Sequence, residues 1–144
     1  MSEVFQKVKL DFLLTAAVFL IGCLFLSGCK KGIGLDEVRA KYIGTFTGYE
    51  PCSVTGAATY SITISADEAD ITKVKFYNLW AAQQNTTGEI RSDGNVYILS
   101  QSFYSSSTVA GKAMIVNGKL KVSYSVIGDS FLQGRTDNCV WQQE

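Results

Sequence analysis

Histidine is absent from the 144-residue chain, and proline occurs once, at Pro51. Without an imidazole there is no Ser-His-Asp or Cys-His arrangement for acyl transfer. A zinc site lacks its usual nitrogen ligand, and no cluster of thiolates replaces it. Excess charge is missing too: 13 basic residues balance 13 acidic ones. No basic stripe therefore offers an electrostatic footprint for nucleic acid. No glycine-rich loop follows a strand and opens a helix, which removes the usual phosphate cradle. These absences lead to the expectation of a non-enzymatic protein with no cofactor and no metal. What the chain does have, in Gly, Ser, Thr, Tyr and Val, is the chemistry of strands and turns.

The N-terminus is of a different kind. Lys7 and Lys9 form a modest basic region, and Phe12–Leu26 follows without a charge. That run suits the h-region of a secretory signal and is short for a hydrocarbon core of ~30 Å. It ends in Leu26-Ser27-Gly28-Cys29. This tetrapeptide resembles the lipobox of bacterial lipoproteins, with small residues in the two positions before the cysteine. The resemblance implies cleavage after Gly28, a signal peptide of residues 1–28, and a diacylglycerol thioether on Cys29. The acyl chains would be the protein's link to the membrane, two or three of them holding far more firmly than one. The alternative is an uncleaved anchor for which Lys30-Lys31 is the flank. Cys23 reads as a small apolar residue within the h-region. In lipoproteins, bases rather than Asp just after the cysteine imply passage to the outer membrane, on its periplasmic face or at the cell surface.

Removing residues 1–28 takes away two bases and two acids, so the mature chain stays neutral. Residues 29–41 read as a tether and a short helix around Asp36–Lys41, acids first and bases last as the helix dipole prefers. Two cysteines remain, Cys52 and Cys139. An even pair in an exported domain reads as a disulfide.

Residues 42–144 read as one β domain of about eight strands separated by turn residues. The expected strands are Tyr42–Glu50 (ended by Pro51), Thr59–Ser65, Ile71–Asn78, a weak one at Glu89-Ile90-Arg91, Val96–Phe103, Thr108–Val116, Leu120–Val126 and Thr136–Gln143. Between the third and fourth lies a long loop, Leu79–Gly88. Asp93-Gly94 and Asn117-Gly118 mark tight hairpins. Cys52 follows the first strand and Cys139 sits in the last, so a bond between them makes those strands neighbours. A meander whose ends meet is a closed antiparallel barrel, with a two-sheet sandwich as the alternative.

The order Tyr42-Ile43-Gly44-Thr45-Phe46, Cys52, Tyr60–Ile64, Val74–Asn78, Thr108–Val116, Leu120–Val126 and Asp137-Asn138-Cys139 is similar to small lipoproteins of Bacteroidota. Some of these carry lipocalin-like barrels. Gly44-Thr45-Phe46 resembles the lipocalin Gly-x-Trp, with Phe in place of Trp. The resemblance implies a fold and an envelope location and brings no activity with it.

Several large aromatics fall near expected loops: Trp80, Tyr97, Phe103, Tyr104, Phe131 and Trp141. A barrel of eight strands is just wide enough for its own side chains or one small ligand. Trp80, Tyr97 and Tyr104 are the candidate ligand-binding residues, for a small apolar molecule or a glycan, and Trp141 reads as core. Asp67, Glu68 and Asp70 read as a solvated turn rather than a calcium loop, lacking the glycine and terminal glutamate of an EF-hand. Asn85-Thr86-Thr87 matches a glycosylation sequon. The competing class is a structural or accessory subunit of an outer-membrane complex, with no small-molecule ligand.

Overall fold

Strict alternation writes the barrel wall. In Lys119–Ile127, Leu120, Val122, Tyr124 and Val126 are buried while the residues between them reach solvent. That is the period of two expected where one face of a strand packs on a core. The computed structural model describes residues 34–128 and 132–144. It contains a short helix, α1 (Leu35–Ala40), and eight strands: β1 (Gly44–Cys52), β2 (Gly56–Ala66), β3 (Lys73–Tyr77), β4 (Asn85–Ile90), β5 (Val96–Ser102), β6 (Thr108–Val116), β7 (Lys119–Ile127) and β8 (Thr136–Gln143). Each strand pairs antiparallel with the next, and β8 returns to β1 to close the barrel. The sandwich alternative is thereby set aside. The expected signal segment, Cys29 and the tether as far as Ile33 lie outside the described residues, as does Phe131. Among the described residues no helix is long and apolar enough to cross a membrane.

Cys52 and Cys139 are disulfide-bonded across the closing seam, with Cα atoms 4.2 Å apart. They are directly opposed in the β1–β8 register. So short a spacing belongs to an antiparallel pair that does not exchange backbone hydrogen bonds, where side chains stand closest.

Three boundaries differ from the sequence reading. β1 continues through Pro51 to Cys52, pairing Pro51 with Ala57 of β2. Proline is tolerated because the β1–β8 ladder pairs at Gly48, Tyr49 and Cys52, so Pro51 has no bridge to supply there. The long loop expected from Leu79 to Gly88 is shorter, since β4 starts at Asn85 and the sequon lies in a strand. The weak strand at 89–91 is the end of β4. Thr86 and Gly88 face inward beside Ile90, which hides the strand from a search for large apolar residues.

The two ends of the barrel differ. At one end α1 packs Val38 against the core, and the Tyr42 hydroxyl donates to the carbonyl of Gly94 in the β4–β5 turn over 2.9 Å. The interior above this end is filled by Ile62, Ile64, Phe76, Val122 and the fully buried Trp141. At the other end lie the β1–β2 turn, residues 78–84, residues 103–107 and the β7–β8 connection. β2 pairs with β3 only from Thr63 to Ala66, while its partnership with β1 runs on to Gly56. The upper part of β2 thus stands beside the 78–84 loop rather than beside a strand.

Candidate functional site

Where β2 outruns β3, a cavity of about 550 Å³ opens between the upper β1–β2 hairpin and the 78–84 loop. Its walls include Gly56, Ala58, Trp80 and Tyr104, and its floor includes Glu50 and Tyr60. The small residues explain the space. Gly56 and Ala58 share the inward face of β2 with Tyr60 and Ile62 yet are exposed, because nothing larger fills the volume in front of them.

The floor is an inward-facing carboxyl. Glu50 alternates with Gly48 and Cys52 on β1 and is only 3% exposed. The Tyr124 hydroxyl donates to Glu50 Oε1, and the Tyr60 and Tyr124 hydroxyl oxygens lie 3.4 Å apart. Burial pushes the Glu50 carboxyl above its ordinary range, against the lowering effect of hydrogen bonds from Tyr124 and Tyr60, and the charge of Asp137 adds to the rise. Burial likewise drives both phenols far above the usual tyrosine value.

Behind the site sits a second inward acid, Asp137 on β8, with no measurable exposure. Its Oδ1 accepts from Val54 N–H at 2.7 Å and Ser53 Oγ at 3.2 Å. Its Oδ2 accepts from Thr55 Oγ1 at 2.6 Å, Thr55 N–H at 3.3 Å and Trp80 Nε1 at 3.2 Å. Burial alone would raise this carboxyl, but the donors from Thr55, Val54 and Trp80 outweigh it and hold the pKa below the ordinary value. Five donors from the β1–β2 turn and the 78–84 loop thus converge on one side chain.

The 78–84 loop is strained. Asn78, Trp80, Ala81 and Gln83 all have φ between 51° and 69°, and Ser105 and Ser106 in the facing loop are left-handed as well. Non-glycine residues in this region cost about 1 kcal/mol or more each and persist where the surroundings over-determine them. Here the surroundings are the Trp80–Asp137 bond and the packing of Trp80 against Phe103 and Tyr104, with ring centroids 6.2 and 6.3 Å away.

Of the three candidate ligand-binding residues, the structure brings Trp80 and Tyr104 to one cavity. Tyr97 is elsewhere and does not line this cavity. Val96 and Ile98 take the inward positions of β5, so Tyr97 faces out. Arg91 Cζ lies 4.4 Å and Lys112 Nζ 4.9 Å from its ring centroid, and its hydroxyl donates to Asp93. Glu50, Tyr60 and Asp137 were not among the candidates. Each occupies an inward position by alternation, and a charge at such a position was the available signal. Cys52 and Cys139 approach Glu50 closely enough to form a potential metal cluster, but their sulfurs are joined to each other. Asp67 and Asp70 form a turn that caps itself and pairs with Lys75 and Lys73.

The chain matches no family model, and comparison with curated proteins and with solved structures gives no match either. The class is therefore set by the fold and the cavity: a closed eight-stranded β-barrel, disulfide-bonded at its seam, with an aromatic-walled, acid-floored cavity at one end.

Proposed function

We propose that this chain is an exported, lipid-anchored, non-enzymatic binding protein that holds a small ligand at the open end of its barrel. The observation that carries the reading is the cavity itself. At about 550 Å³ it falls within the range of small-molecule sites, and it combines apolar walls with a few convergent polar groups. The titratable groups at its floor, Glu50 and Tyr60, are engaged with Tyr124 behind them rather than poised around a nucleophile.

The anchor is proposed at Cys29, in the outer membrane. Five Cα-to-Cα steps lead from it to Gly34, a reach of at most about 18 Å when extended. The packed end of the barrel, where α1 begins, would then lie near the bilayer and the cavity would face away from it.

Two measurements test the proposal. Intact-mass analysis of the protein from its native membrane should show a chain beginning at an acylated Cys29; a chain beginning at Met1 with a free thiol there would overturn the anchor. Titration of small molecules against the full chain in detergent should perturb Trp80 fluorescence, since Trp141 is fully buried. A screen of amphiphiles, glycans and amines that leaves the fluorescence and the melting temperature unmoved would overturn the binding role.

A further inference from the structure

We infer that the cavity is a receptor for an organic cation, a protonated amine whose ammonium group sits against Glu50 and whose carbon skeleton stacks on Trp80 and Tyr104. This rests on the binding reading above and names the class of ligand.

The argument starts from charge. Glu50 lies on the floor of the cavity and a second buried acid, Asp137, stands behind its wall, on neighbouring strands β1 and β8. Among the described residues, those lining the cavity include neither Lys nor Arg. From β2 the group facing Glu50 is Tyr60, from β7 Tyr124, from β8 Asp137 and the Cys52–Cys139 bridge, all neutral or negative. The 78–84 and 103–107 loops contribute Trp80, Gln83 and Tyr104, which are neutral side chains.

The two acids are not equivalent. Asp137 is saturated, with five donors from backbone, hydroxyls and indole. Glu50 receives, among the described residues, phenol hydroxyls, and it borders the open cavity. A buried carboxylate is stabilised by a charge-assisted partner far more than by neutral donors, and among the described residues no base lines the cavity to supply one.

The walls fit the same ligand. Trp80 is fixed by its bond to Asp137, and Tyr104 meets it nearly edge-on, the planes 68° apart. Indole and phenol faces attract ammonium groups as well as their alkyl chains. A fatty carboxylate would meet Glu50 with like charge, and a neutral sugar would leave the carboxylate without a counter-ion.

The test compares phenethylammonium with 2-phenylethanol, which has the same skeleton and no charge, by calorimetry on the full chain in nonionic detergent. The ammonium should bind at least about tenfold more tightly than the alcohol near neutral pH. Glu50→Gln should erase that preference. Ala58→Lys, which places a cation opposite Glu50 on an exposed inward position, should erase it as well while leaving the Cys52–Cys139 bond intact. Tyr104→Ala should weaken both probes together. Equal affinity for the two probes, or a preference that survives Glu50→Gln in a folded variant, overturns the inference. A cavity that takes a neutral glycan or a fatty acid but no amine overturns the inference and leaves the binding role standing; one that takes nothing removes both.

Discussion

Trp80 Nε1 donates to Asp137 Oδ2 across 3.2 Å, joining the strained 78–84 loop to the start of β8, 57 residues further along the chain. The same carboxylate holds the β1–β2 turn through Val54 and Thr55. One buried acid therefore fixes both sides of the cavity mouth.

Replacing it exposes that role. Asp137→Asn keeps the shape but puts an amide donor where an acceptor is needed, leaving at least one buried N–H or O–H unpaired. Stability should fall by about 3 kcal/mol at neutral pH, read as a shift in the urea midpoint. Because the folded-state pKa of Asp137 is depressed, its contribution is complete above the ordinary value of 3.8 and is lost as pH falls through the folded value. The gap between wild type and variant should therefore close in acid.

Glu50 carries the opposite sign. Its folded pKa is raised, chiefly by burial, so ionisation costs stability once pH rises above the ordinary value of 4.5. Relative to Glu50→Gln, the wild type should lose ground with rising pH and level off above the raised value. Paired thermal melts across pH 4–8 check this; a difference that does not change with pH refutes it.

Gly48 leaves room for the core tryptophan. A Cβ there would lie 2.3 Å from the carbonyl oxygen of Gln142 and 2.5 Å from Cζ2 of Trp141. One of those neighbours is backbone on the adjacent strand and cannot swing aside. Gly48→Ala should destabilise the barrel by about 2–3 kcal/mol, measured by chemical denaturation, with β8 displaced at the closing seam.

Reducing the seam disulfide should cost about 4–5 kcal/mol, the loop-entropy value for a sequence separation of 87. Denaturation midpoints with and without a thiol reductant give the figure directly. An unchanged midpoint would mean that the strands close without the bond.

Much of the architecture was legible in the residues. Alternation in Tyr60–Ile64 and Leu120–Val126, the Asn117-Gly118 turn, and the positions of two cysteines near the ends of the domain pointed to a meander that closes, with a two-sheet sandwich left as the alternative. These are local patterns plus one covalent link, and backbone sterics with hydrophobic burial act on them over a few residues at a time. Where the pattern was polar or small, as at Thr86-Thr87-Gly88, the strand went unread, because periodicity is visible only through side-chain size and polarity.

The cavity belongs to the tertiary structure. A period of two assigns Glu50 and Asp137 to the inward face, but it does not say which inward residues meet across the barrel or which one the surroundings will saturate. Trp80 and Tyr104 converge because two loops take left-handed turns that no local preference dictates, held by a hydrogen bond from a distant strand. Tyr97 resembles them in sequence and points outward, since one step along a strand reverses the face. Strand pattern was therefore fixed by the chain's local chemistry, closure was decided by the pairing of β8 with β1, and the site by how far β2 outruns β3 once the barrel has formed.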